Sequence, residues 1–200
     1  INRAKSLYAG VFYRRYSLGL WCVAEGVVYD CFLEDENVIE TAPALEYELY
    51  GEKREKSGLW YVSIDYGTHN PFSAGLWFVP DGESVCYRVD EYYYSSKDSG
   101  VQMTDDEYYN TLDKFIGKRN IEQIVIDPSA ASFIALIRKK GKYRVRSAVN
   151  DVNDGIRFTA SLIKQKKLFF DKRCKAIIKE FGSYLWDDKY LAGDKVIKEH

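Results

Sequence analysis

The chain is poor in the side chains from which soft metal sites and disulfide frameworks are built. Its 200 residues include two histidines, His69 and His200, and four widely separated cysteines with no C-x-x-C pair. This spacing argues against a zinc cluster and against a disulfide framework, and it favours reduced thiols. A site built mainly on imidazole is equally disfavoured, so we expect any metal to be held by carboxylates.

Long apolar runs are also missing. No stretch approaches the ~20 apolar residues that a membrane helix needs, and the N-terminus lacks the apolar core of a signal peptide. The content of 46% hydrophobic and 30% charged residues is typical of a globular protein and excludes a disordered tail. We therefore expect a compact protein that is neither secreted nor inserted in a membrane.

An overall excess of positive charge is absent as well, because the formal net charge is −1. A domain that binds nucleic acid over its whole surface is usually basic. The second half of the chain nevertheless contains two basic runs, which include Arg138, Lys139, Lys140, Lys142, Arg144 and Arg146, and then Lys164, Lys166 and Lys167. These runs predict a face that binds DNA phosphates, although solvated helix faces carry lysines too.

The order of predicted elements indicates an α/β fold. Apolar, β-branched segments and the turns between them predict an antiparallel meander over residues 59–66, 73–79 and 84–94. Helices and strands then alternate, with strands over 121–127 and 143–148 and helices over 104–118, 128–137, 150–166 and 172–186. Such an order predicts a mixed sheet with helices on both faces, as in the ribonuclease H-like fold.

Residues 1–58 differ in character from residues 59–200. The first part is rich in aromatic residues and glycine without a clear period, and it continues as an acidic, loop-like sequence up to Gly58. We expect it to be an extended segment that packs on a domain or joins two domains. Residues 59–200 are then expected to form the α/β domain.

Two aspartates stand at the ends of apolar strands, Asp65 in VSIDYG and Asp127 in IVIDP. If the two strands are neighbours, both carboxylates lie at one end of the sheet. Two anions that close repel each other, and a divalent cation relieves the repulsion. A pair of such cations can activate water and stabilise a leaving oxygen in phosphodiester cleavage. The alternative is that each aspartate simply begins a turn.

Four further residues are candidates to support this site. Gly67 and Thr68 predict a tight turn directly after Asp65, where the backbone can approach a substrate or a metal. His69 follows them, and it is either a phosphate contact or an ordinary loop histidine. Asp90, together with its neighbour Glu91, is expected at the end of the third strand, where it is either a supporting carboxylate or part of a solvated edge.

Several segments together resemble the nuclease domain of the large terminase subunit of tailed bacteriophages. They are LYAGVFYRRYSLGLWCVAEGVVYD, SIDYGTHNPFSAGLW, VIDPSA, NDVNDGIRF and EFGSYLWDDK, in that order. The resemblance implies a C-terminal nuclease that cuts concatemeric double-stranded phage DNA during packaging. The N-terminal ATPase motor of that family carries a G-x-x-x-x-G-K-[ST] loop, which does not occur in these residues. The segment 1–58 would be the tract that joins motor and nuclease.

The resemblance also implies the site. Asp65 and Asp127 match the first two metal-binding aspartates of the family, which uses two Mg²⁺ or Mn²⁺ ions. The third acidic ligand is expected beyond residue 200, and His200 is a weak match to the motif that precedes it. The implied partners are double-stranded DNA, the portal protein and the small terminase subunit. The implied location is the host cytoplasm and, transiently, the phage procapsid.

Two other functions remain open from the sequence. The segment Ile64-Asp-Tyr-Gly-Thr68 is similar to the first phosphate loop of the actin, heat-shock and sugar-kinase superfamily, which needs a second loop of the same kind. The long aromatic N-terminal tract would also suit a docking module that binds DNA or a portal protein without cutting.

Overall fold

The computed structural model describes residues 26–67 and 70–186. Its strands are β1 Val38–Ile39, β2 Glu46–Leu49, β3 Glu52–Glu55, β4 Gly58–Asp65, β5 Phe72–Pro80, β6 Cys86–Tyr94, β7 Ile121–Ile126, β8 Val145–Ser147 and β9 Leu168–Asp171. Its helices are α1 Glu34–Asn37, α2 Thr41–Ala44, α3 Ser96–Ser99, α4 Asp105–Ile116, α5 Ala131–Lys140, α6 Val152–Lys164 and α7 Lys175–Phe181. Within these described ranges, no helix has both the length and the apolarity needed to cross a membrane.

Seven strands form one mixed sheet in the order β1-β9-β6-β5-β4-β7-β8. Strands β4, β5 and β6 pair antiparallel, as the predicted meander requires, and the remaining neighbours pair parallel. Strands β7 and β8 are each preceded by a helix, which is the alternation that the sequence predicts. The predicted mixed α/β sheet with the strand order of a ribonuclease H-like fold is confirmed.

The main core lies between one face of this sheet and helices α4 and α5. On β4 the side chains alternate, so that Val62 and Ile64 are buried on this face. They pack with apolar residues of the neighbouring strands and of the two helices, among them Leu76, Ile124 and Phe133. Each large side chain buried in this way contributes about 1.5–3 kcal/mol to the stability of the fold.

Several element boundaries differ from the prediction. Residues Leu168–Asp171 form a strand that pairs with β6, and the sequence did not identify it. Helix α5 begins at Ala131 rather than at residue 128, and α7 begins at Lys175 rather than at residue 172. Helix α6 is capped by Asp151, whose side chain accepts the N–H of Asp154, and not by Asn150 as predicted.

Part of the segment before β4 packs on the sheet. Strand β1 pairs with β9, and Ile39, Ala44 and Leu45 pack against a cluster that contains Phe78 and Tyr87. Strands β2 and β3 form a separate two-stranded hairpin. The division of the chain at residue 58 into a joining tract and a nuclease domain stays a prediction.

Candidate functional site

Strands β4 and β7 bring Asp65 and Asp127 to the same end of the sheet. The two strands are parallel neighbours, and their register runs through Ile64 opposite Ile126. Both isoleucines are buried in the core, so the aspartates that follow project from the opposite face. Adjacent strands are about 4.8 Å apart. The expectation that the two strands are neighbours is confirmed, and we refer to this end of the sheet as the acidic end.

The carboxylate of Asp127 is held at both oxygens. The backbone N–H of Ser129 donates to Oδ1 at 2.7 Å, and Nδ2 of Asn150 donates to Oδ2, also at 2.7 Å. The hydrogen bonds from Ser129, followed by the bond from Asn150, hold the pKa of Asp127 below its usual range. Asp127 is therefore a fixed, ionised oxygen donor, and the bond from Ser129 also opens the turn before α5.

Helix α7 places a further acid near Asp65. Burial raises the pKa of Glu180, and the negative charges of Asp65 and Glu91 raise it further, whereas the guanidinium of Arg88 lowers it. Asp65 itself is solvent-exposed. The acidic end therefore has three carboxyl groups, with the guanidinium of Arg88 as an offsetting charge, and a divalent cation is the kind of ion that such a cluster can bind.

A buried ion pair fixes the start of α7. Glu91 on β6 accepts the N–H of Ala176 at 2.5 Å and that of Ile177 at 3.3 Å, and it lies 3.5 Å from Arg88. Both side chains of the pair are 7% exposed. A Cβ at Gly75 would lie 2.6 Å from the Arg88 guanidinium carbon, so a glycine at this position makes room for the arginine. This pair therefore determines where α7 crosses the sheet.

The predicted supporting residues have other surroundings than expected. A Cβ on Gly67 would lie 2.2 Å from the carbonyl oxygen of Asn70, so the close approach at this glycine is to the chain's own backbone. Asp90 lies in the middle of β6 rather than at its end, and its nearest cation is Arg173 at 3.8 Å. Thr68, His69 and His200 lie outside the described residues.

Apart from Arg146, the two predicted basic runs lie towards the opposite end of the sheet. Helix α5 starts beside the acidic end and runs back along β7, so that Arg138, Lys139 and Lys140 in its last turn are about 15 Å away. Helix α6 also runs away from the acidic end, and β9 begins shortly after it. Lys164, Lys166 and Lys167, at the end of α6 and just before β9, therefore lie at the opposite end of the sheet as well. Four of the nine residues form ion pairs: Lys140 with Asp106, Lys142 with Asp113, Arg144 with Glu122 and Lys166 with Glu36.

Arg146 is the member of the runs that lies nearest the acidic end. It pairs with Val125 on β7, two residues before Asp127, which is about 7 Å along the strand. In a parallel pair, residues in register point to the same side, so Arg146 lies on the face from which Asp127 projects. Its side chain is exposed on the edge strand β8.

The donor set at the acidic end fits a hard divalent cation. Carboxylate oxygens are the ligands that Mg²⁺ and Mn²⁺ prefer, and both aspartates supply them. In residues 26–67 and 70–186, no three or more His, Cys, Asp or Glu side chains are grouped closely enough to hold a metal ion. Two candidate ligands are thus in place among the described residues, and the remainder of a coordination shell would come from water, substrate or other residues.

The sequence did not identify Asn150 or Glu180 as residues of this region, and it marked Glu91 only as the neighbour of Asp90 at the end of a strand. Asn150 directly precedes a predicted helix, for which the sequence predicts it as the cap, whereas Glu180 carries no local pattern. Asn150 donates a hydrogen bond to Asp127, Glu91 accepts hydrogen bonds from the start of α7, and Glu180 interacts electrostatically with Asp65. In each case the two partners are more than twenty positions apart in the chain. Only the folded arrangement of the strands reveals these contacts.

Proteins similar to this chain are found among solved structures. No protein-family model matches the chain, and neither does any curated protein. Among solved structures, the chain is 44% identical to the large terminase of a thermophilic bacteriophage, solved in complex with ADP, over 98% of its own length and with a TM-score of 0.75. It spans 46% of that terminase chain, which is about half its length.

Two separate nuclease domains share the fold at lower identity. The nuclease domain of the P22 large terminase is 13% identical, with a TM-score of 0.63 and with 83% of this chain and 82% of that chain covered. The large terminase nuclease from thermophilic phage G20c, which was solved with bound magnesium, is 14% identical, with a TM-score of 0.56 over 88% and 89% of the two chains. The chain thus matches a nuclease-like domain of the large terminase subunit of bacteriophages, as its motifs predicted.

Proposed function

We propose that this domain is a divalent-metal-dependent endonuclease that cuts double-stranded DNA during phage genome packaging. The observation that carries the proposal is that Asp65 and Asp127 directly follow Ile64 and Ile126, which face each other on two parallel neighbouring strands. Support comes from the 44% identity to the ADP-bound large terminase and from the fold shared with the G20c nuclease, for which magnesium is the bound ion.

Asp65 and Asp127 would hold Mg²⁺ or Mn²⁺, and two ions are proposed. Such ions, when bound, supply water activation and stabilisation of the leaving oxygen. The contribution of the chain would be to hold these two carboxylates at the same end of the sheet. Ser129 and Asn150 keep Asp127 ionised, and the carboxyl group of Glu180 adds a further acid near Asp65.

Arg146 is the proposed contact to the DNA backbone nearest the cut. A phosphate contact gives affinity without sequence information, so sequence preference would come from another part of the packaging machinery, such as the small terminase subunit. The other basic residues would reach only DNA that extends towards the opposite end of the sheet. Because the chain resembles the large terminase subunit, we also propose that it docks to the portal protein.

The direct test is Asp65→Asn, which keeps the size of the side chain and removes its charge. We expect Mn²⁺-dependent nicking of supercoiled plasmid by the chain to fall at least a hundredfold, because one of the two paired ligands is lost. Asp81→Asn, in the exposed turn after β5, is the control and should nick like the unaltered chain. Unchanged nicking by Asp65→Asn would refute the proposal.

Two other outcomes would favour the alternative functions. If the unaltered chain binds DNA at millimolar Mn²⁺ without cutting it, a docking module is the better interpretation. The hydrogen bonds on the Asp127 carboxylate would then serve only to form the turn before α5. If ATP raises the melting temperature while DNA does not bind, the phosphate-loop resemblance at residues 64–68 would be the better guide.

A further inference from the structure

Asn150 lies at the junction between β8 and α6, close to the acidic end. The sequence interpretation gives it a capping role, but Asp151 fills that role, because its Oδ1 accepts the N–H of Asp154 at 3.0 Å. The Asn150 amide group is turned instead towards Asp127 on the neighbouring strand. The Asn150 side chain therefore does not cap the helix that follows it, and it contacts a residue that is distant in sequence.

The identity of the contacting atoms is determined by chemistry. A carboxylate oxygen of an ionised aspartate only accepts hydrogen bonds, so the atom of Asn150 that lies 2.7 Å from Asp127 Oδ2 is the amide nitrogen. The backbone N–H of Ser129 holds Oδ1 at the same distance. With both oxygens fixed, the plane of the carboxylate cannot rotate, and each oxygen keeps lone pairs for a further partner.

We propose that Asn150 is a positioning residue that orients the Asp127 carboxylate for divalent-cation binding. The inference rests on the proposed function, since it assumes that Asp127 is a ligand. Residues that hydrogen-bond to a ligating carboxylate hold it in the binding orientation, and their loss commonly weakens metal affinity by roughly 10–100-fold. Without Asn150, only one oxygen of Asp127 is held by a hydrogen bond, and its carboxylate can rotate. Binding of the cation must then restrict this rotation, which weakens the affinity.

The junction does not depend on Asn150 for its own structure. Ala148 N–H donates to the carbonyl oxygen of Ile126 at 2.7 Å, which ties the end of β8 to β7, and Asp151 caps α6. The Asn150 side chain is exposed. Its replacement therefore removes the bond to Asp127 without opening the core, and this separates a positioning role from a structural one.

The test measures Mn²⁺ binding by isothermal titration calorimetry on the whole chain without DNA. Asn150→Ala removes the amide, and Asn150→Leu removes it while keeping its size. We expect both variants to raise the Mn²⁺ dissociation constant roughly tenfold and to leave the metal-free melting temperature unchanged. Val149→Ala, at the neighbouring exposed position, is the matched control and should bind Mn²⁺ like the unaltered chain.

Nicking provides a second readout. The Mn²⁺ concentration for half-maximal nicking should rise by the same factor in both Asn150 variants, and the rate should recover at saturating Mn²⁺. A merely structural role would lower the melting temperature and would not be rescued in this way. Unchanged Mn²⁺ affinity in both variants, beside a clear loss in Asp127→Asn, would overturn the positioning role alone. Unchanged affinity in Asp65→Asn and Asp127→Asn as well would overturn the proposed function.

Discussion

Asp171, the last residue of β9, ties the segment before β2 to the sheet. Its Oδ2 accepts the N–H of Thr41 at 3.0 Å and the Thr41 hydroxyl at 2.6 Å, and its Oδ1 accepts the N–H and the Nε–H of Arg173. Burial alone would raise the pKa of Asp171, but the bonds from Arg173 and Thr41 outweigh burial and hold the pKa well below its usual range. The ionised form is therefore the one that stabilises the fold.

The replacement Asp171→Asn should lower the free energy of unfolding by about 2–3 kcal/mol at pH 7, because an amide nitrogen then faces donors on Arg173 or Thr41. The contribution of a carboxyl whose pKa is lowered by folding is complete above the unfolded value of about 3.9 and is lost as the pH falls towards the folded value. Urea unfolding at pH 7 and at lower pH tests this. The difference between the two proteins should narrow below about pH 4.

The control for this measurement is Asp81→Asn, which removes a carboxylate from an exposed turn. It should change the free energy of unfolding by less than about 0.5 kcal/mol at either pH. An Asp171→Asn protein as stable as the unaltered chain at pH 7 would show that this network contributes nothing net.

At the scale of elements, the hairpin of β2 and β3 has an unfavourable turn. Its two central residues, Tyr50 and Gly51, have φ values of 54° and 79°. Positive φ at both positions is the type I′ pattern, which favours asparagine followed by glycine. A bulky residue in the left-handed region costs roughly 1–2 kcal/mol, and Tyr50 is 94% exposed, so no packing offsets this cost.

We therefore expect Tyr50→Asn to stabilise the hairpin locally by about 1 kcal/mol. Amide hydrogen exchange at Leu49 and Glu52, which face each other across the turn, should slow roughly fivefold. Tyr47→Asn, at a strand position of the same hairpin, is the comparison and should not slow exchange. Faster exchange in Tyr50→Asn would mean that the tyrosine stabilises the turn through its side chain.

How far an element could be predicted depended on how local its determinants are. Strands β4 and β7 have apolar runs marked at their ends by Asp65 and Asp127, so both strands were predictable, and the order of elements made them neighbours in the sheet. Strand β9 has four residues and pairs with β6 about eighty positions earlier, so nothing nearby in the chain marks it as a strand. The start of α7 depends on Glu91, and the contact of Asn150 depends on Asp127, both distant in sequence.

For the whole molecule, strand direction decides what a charge cluster can do. The basic runs are contiguous in sequence and predict one DNA-binding face, but helices α5 and α6 carry them back from the acidic end. The ion pairs of Lys140, Lys142 and Arg144 with acids of α4 and β7 also reduce the charge available to a phosphate. Charge that lies beside the acidic end should therefore matter more for the proposed cutting than the total charge in the runs.

The different positions of Arg146 and Lys139 predict unequal effects of two substitutions that each remove one positive charge. Arg146→Ala should weaken binding of a short DNA duplex about three- to tenfold and reduce the slope of log affinity against log salt by about 1, as expected for one lost phosphate contact. Lys139→Ala, in the last turn of α5, should have a smaller effect on both quantities. Fluorescence anisotropy in Ca²⁺, over a series of salt concentrations, measures affinity without cleavage. An equal or larger loss in Lys139→Ala would mean that the DNA lies along the opposite end of the sheet, and the cut would then have to occur away from Asp65 and Asp127.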